Sequence, residues 1–152
     1  MQLNEYVQMT EDELFSQGLE ALARGDTLSA LSVFERAVQR EDRPALSSFL
    51  ALCIAKERGQ FQLAVTLCEK AKAREPHNTV HHLNLGKIYL IAGKKEDAIR
   101  TFREGLGYEQ NTQIIDELEK LGTRKPPLIS SLKRSSPVNK YLGIILKRLG
   151  LR

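Results

Sequence analysis

The chain has no tryptophan, a 6% share of aromatic residues and two cysteines in 152 residues. Two thiols cannot build the disulfide framework of a small exported domain. The opening Met1-Gln2-Leu3-Asn4-Glu5-Tyr6 carries no apolar signal segment, so the expected compartment is the cytoplasm. No stretch approaches the roughly 18 uncharged apolar residues that a membrane-spanning helix needs. Also missing are a G-x-S-x-G elbow, a Walker loop, a dinucleotide fingerprint and a zincin motif. The acidic residues fall on solvated helix faces, where an acid/base pair has no desolvated pocket. These absences predict a protein that is not an enzyme and needs no cofactor or metal.

Acid is missing from one end of the chain. Residues 122–152 hold 8 Lys and Arg and no Asp or Glu, whereas residues 1–121 hold 15 Lys and Arg against 19 Asp and Glu, so +8 and −4 make up the net +4. A segment of one sign is a separate electrostatic object, suited to an acidic protein surface, nucleic acid or anionic lipid.

What is present is helical. Leu, Ala, Glu, Lys and Arg recur, the apolar share is 41%, and these side chains lose little rotamer freedom in a helix. Self-similarity is strong: Gly25, Gly59 and Gly93 are 34 residues apart. Five residues on come Ala30, Ala64 and Ala98, then Phe34, Cys68 and Phe102, then Ala37, Ala71 and Gly105; upstream stand Gly18, Leu52 and Gly86. Apolar residues keep helical spacing before the glycine (Leu14, Phe15, Leu19, Leu22) and after it (Leu28, Leu31, Phe34, Val38). Each unit is therefore read as two helices joined at a glycine, which fits the left-handed residue ending the first. Thr10 and Glu13 have capping-box spacing, and Pro44 and Pro76 fall between units, where a helix must stop.

Leu85-Gly86-Lys87-Ile88-Tyr89, Gly93, Ala98 and Phe102 resemble the signature of the tetratricopeptide repeat family, L-G-x-x-Y…A-x-x-x-F. The resemblance covers units 11–44, 45–78 and 79–112. It departs from the pattern at Gln110, which replaces the usual Pro, at Ala51-Leu52, at Gln17 and Ala21, and at the first-helix Trp position, held by Leu14, Ser48 and His82. It implies an all-α fold, a right-handed superhelical solenoid of three helix-turn-helix repeats. Residues 1–10 form a lead-in. Ile114, Ile115, Leu118 and Leu121 give an amphipathic capping helix at 113–122, closed by Gly122.

In this family the first helix of each unit lines a concave groove. The matching positions are Asp12, Phe15, Leu19 and Leu22; Leu46, Phe49, Cys53 and Lys56; and Val80, Leu83, Lys87 and Leu90. All but Asp12, Lys56 and Lys87 are uncharged, which predicts an apolar groove for a protein or peptide partner, an amphipathic helix or an extended segment with Leu or Ile anchors. The family's carboxylate clamp would fall on Phe15, Leu19, Leu50, Val80 and Asn84, of which Asn84 alone suits it, so an acidic-terminus clamp is not expected.

Residues 123–137 read as a Pro/Ser/basic linker. A helix follows over 138–150, with Ser136 as N-cap and Val138, Leu142, Ile145 and Leu149 on one face. That face can dock on the protein's own groove or on a second copy, which is self-association. It can also meet a separate partner or an anionic membrane; nucleic acid fits least, because no aromatic residues interleave the basic ones. The leading function is an adaptor whose groove the tail regulates. A secretion-type chaperone and a peripheral membrane or self-assembly scaffold are the alternatives. His77, His81 and His82 lack a third partner for a metal. Cys68 reads as core, and Cys53 as core or a reactive thiol facing the groove.

Overall fold

The computed structural model describes residues 9–122. The start of the lead-in, the linker at 123–137, and the 138–150 helix with its Val138, Leu142, Ile145 and Leu149 face lie outside the described residues. The chain divides into two units, residues 1–118 and 119–152, and the packing below is that of the first.

Every element among the described residues is helical: α1 (Glu11–Ala23), α2 (Thr27–Val38), α3 (Pro44–Arg58), α4 (Phe61–Arg74), α5 (Thr79–Ile91), α6 (Lys95–Leu106) and α7 (Thr112–Lys120). α1 packs on α2, α3 on α4 and α5 on α6, and successive pairs join through α2–α3, α3–α5 and α4–α5.

Local chemistry sets the ends. Thr10 closes a full capping box, its hydroxyl accepting from Glu13 N at 3.2 Å while Glu13 Oε2 accepts from Thr10 N at 2.7 Å. Asp26, Asn78 and Asn111 cap α2, α5 and α7 through their side chains. The three turns inside the pairs each carry a glycine at positive φ, 77° at Gly25, 63° at Gly59 and 76° at Gly93, where a Cβ would be strained. Pro44 differs from the expectation that it stops a helix: it occupies the first turn of α3 behind an extended Arg43, where its missing N–H has no helical partner to lose. Pro76 does follow a helix end, with Glu75 before it pushed into extended backbone.

The small-residue columns meet inside each helix pair. Gly18 faces Phe34, where a Cβ would fall 2.5 Å from the ring, and Gly86 stands in the same way against Phe102. In the middle pair the sizes are reversed, Leu52 and Cys68 being the corresponding residues and both buried. One large and one small residue per pair fills the gap in either order. Ala30, Ala64 and Ala98 are wholly buried, as are Phe34, Phe102, Leu14, Leu46 and Ile114.

Candidate partner-binding groove

The groove positions named from the sequence separate into two sets. Phe15, Leu19, Leu22, Phe49, Val80, Lys87 and Leu90 are half-buried, and Lys56 is exposed. Leu46, Cys53 and Leu83 are buried, at 0%, 0% and 4% exposure, and so belong to the core instead of the accessible surface. The cause is position in the stack. α3 is packed by α2, α4 and α5, which cover its flanks, whereas α1 has α2 as its main neighbour and keeps Phe15, Leu19 and Leu22 partly open.

Two rings give the row its firmest point. Phe15 and Phe49 meet edge to face with centroids 5.8 Å apart, and both rest on buried Phe34, Phe49 stacking on it at 5.7 Å. Core packing thus fixes rings whose outer edges remain accessible. The Arg43 guanidinium lies 5.5 Å from the Phe15 centroid and is held at 2.9 Å by both Asp12 and Glu41. Those carboxylates, Asp12 first, raise the already high pKa of Arg43. Arg43 sits in the link before α3, outside the repeating helix positions, which is why periodicity did not single it out.

Asn84, the one clamp-like residue, is turned inward at 1% exposure and donates to Ser48 Oγ at 3.0 Å. Ser48 also contacts Cys68 Sγ at 3.6 Å, and Cys68 donates to the His81 carbonyl at 3.5 Å. This buried chain ties α3, α4 and α5 together.

Cys53 does not face the groove as an accessible thiol. Burial pushes its pKa up to about 12, and burial does the same to Cys68. A thiol held neutral is a poor nucleophile. The histidines are engaged separately: His81 Nε2 donates to Glu75 Oε2 at 2.7 Å, His82 Nε2 donates to the Pro76 carbonyl at 2.9 Å, and exposed His77 stands edge-on to Tyr108 at 4.8 Å. The Glu75 carboxyl is lowered below its usual range, first by His81 and then by Asn78. Among the described residues no group of three or more His, Cys, Asp or Glu is placed to hold a metal ion, and no helix is long and apolar enough to cross a membrane.

Stacked helix pairs with a shared core and a half-open row on their first helices define a helical-repeat protein. A family model described as tetratricopeptide repeat matches residues 55–119. The chain is a tetratricopeptide-repeat protein. No curated protein matches it. Among solved structures it is similar to the first tetratricopeptide domain of Spaghetti (RPAP3) bound to an HSP90 peptide, at 20% identity over 74% of this chain and 92% of that one, TM-score 0.59. It is also similar to the second such domain of human RPAP3 in complex with an HSP70 peptide, at 20% identity over 73% and 93%, TM-score 0.56. The domain of Sgt2 from Aspergillus fumigatus gives 17% identity over 86% and 93%, TM-score 0.56. At these identities the likeness is one of fold.

Proposed function

We propose that the chain is a non-enzymatic adaptor that holds an apolar peptide or an amphipathic helix on the row Phe15, Leu19, Leu22, Phe49, Val80, Lys87 and Leu90. The observation that carries this reading is the half-open Phe15–Phe49 pair resting on buried Phe34: aromatic edges fixed by a core and left accessible suit apolar anchors. The peptides in the titles of the two RPAP3 structures support a peptide partner. The acidic sequence SRMEEVD belongs to that HSP90 peptide; at the corresponding clamp positions this chain has Phe15, Leu19, Leu50, Val80 and Asn84, and both Leu50 and Asn84 are buried. An apolar partner fits these positions better than a carboxylate terminus.

The basic segment 138–150 is proposed as a regulator that competes for the row, in the same chain or between copies. The test is a fluorescent peptide of residues 136–152 titrated into the full chain. Saturable binding weakened by Leu19→Ser and by Leu90→Ser supports the reading, with Leu28→Ser, an exposed apolar site outside the row, as the control. Equal weakening by all three variants, or no saturation, contradicts it.

A further inference from the structure

The row is not electrically uniform along its length. α1 carries Glu11, Asp12, Glu13 and Glu20, all exposed, and no basic residue within the helix. Its cationic neighbours do not reverse that sign: Arg24 lies 4.0 Å from Glu20, and Arg43 is shared between Asp12 and Glu41. Asp12, Glu13 and Glu20 line one shallow depression with Met9, Ser16 and Gln17, and no cation is among them.

The other two helices of the row bring the opposite sign. Lys56 on α3 is exposed, and Lys87 is the one charged residue, histidines apart, within α5. Glu57 and Arg58 share the last turn of α3 with Lys56, and Arg58 is held by Glu35 at 2.6 Å. Packed helices lie about 8–10 Å apart, and the Debye length at physiological salt is about 8 Å. α3 touches α1 through Phe49 and Phe15 and packs on α5, so the α1 and α5 ends are far enough apart to act on different parts of a bound segment. Beyond α5 the sign turns again with Asp116 and Glu117 on α7, which limits the step to a segment spanning α1 to α5.

We propose that the occupant of this row is a protein segment with an apolar stripe, basic residues at the end that meets α1, and at least one acidic residue at the end that meets Lys56 and Lys87. This rests on the reading of the row as a binding surface and adds the partner's charge order to it. The apolar contacts give affinity, and the charge step selects and orients.

Three synthetic helical peptides with one shared apolar stripe test this against the full chain: one basic at one end and acidic at the other, one all basic, one all acidic. The mixed peptide is expected to bind about fivefold more tightly than either, the size of one or two exposed charge contacts. The advantage shrinks at about 0.5 M salt, where screening is strong. Lys56→Glu removes the advantage over the all-basic peptide. Either single-sign peptide binding the wild-type chain as tightly as the mixed one overturns the charge order while leaving the row as a binding surface. No binding by any of the three overturns the row itself.

Discussion

Gly86 on α5 faces the ring of Phe102 on α6 so closely that a single added methyl group would overlap it. Both residues are buried, and the ring cannot yield without disturbing the core around it. Gly86→Ala therefore costs about 1–3 kcal/mol of stability, the usual range for overpacking. Phe102→Leu in the same chain recovers part of that loss, a coupling that denaturant unfolding of the single and double variants measures.

The middle pair provides the inverse experiment. Cys68→Phe alone meets Leu52 and destabilises the chain, whereas Leu52→Gly with Cys68→Phe recreates the arrangement of Gly18 with Phe34 and Gly86 with Phe102. The double variant is expected to be more stable than Cys68→Phe, as read by thermal unfolding. A double variant less stable than that single variant contradicts the size-exchange account.

The buried hydroxyl of Ser48 accepts from Asn84 Nδ2 at 3.0 Å. Ser48→Val leaves that amide without its acceptor in the core, at a cost of about 1–3 kcal/mol. Asn84→Leu added to it removes the orphaned donor and restores part of the stability, again through a double-variant comparison.

Both thiols are neutral in the folded chain, because burial raises them from 9.0 to about 12. In the unfolded chain they ionise near pH 9, so between about pH 9 and 12 the folded state binds more protons and stability falls as pH rises. A disulfide reagent at neutral pH should label Cys53 and Cys68 only as fast as the chain opens. Rapid labelling of Cys53 in the native protein contradicts this.

Glu75 acts in the opposite direction. Its carboxyl is lowered from the ordinary 4.5 by the hydrogen bonds from His81 and Asn78, so its contribution is present above that value and is lost as pH falls through the lowered one. Glu75→Gln should flatten the acid limb of the stability profile, measured by denaturant unfolding across that range.

Much of the architecture was legible because spacing alone encodes it. A glycine recurring every 34 residues marked the turn in each helix pair, and the family resemblance at Leu85, Gly86, Ala98 and Phe102 named the fold that the structure shows. The columns also hid information. Read one at a time, Gly18, Leu52 and Gly86 look like a drifting position; read across the helix pair, each is fitted to Phe34, Cys68 or Phe102 opposite.

The row was legible less fully. Equivalent positions in a repeat do not have equivalent exposure, since α3 is covered on both flanks and α1 is not, which placed Leu46 and Cys53 in the core while Phe15 and Leu19 stayed half-open. Asn84 looked like a groove residue until its partner Ser48 was visible, because a single sequence does not reveal a contact between residues 36 apart. Arg43 lies in a link where no periodicity points to it.

The most direct test of the central claim is a residue-by-residue map of amide signals in the full chain during titration with the mixed-charge apolar peptide. The account predicts changes concentrated around Leu19, Phe49, Lys87 and Leu90, with Leu28 and Leu63 on α2 and α4 undisturbed. Changes centred on Leu28 and Leu63, or spread evenly over all the helices, would contradict a binding face formed by α1, α3 and α5.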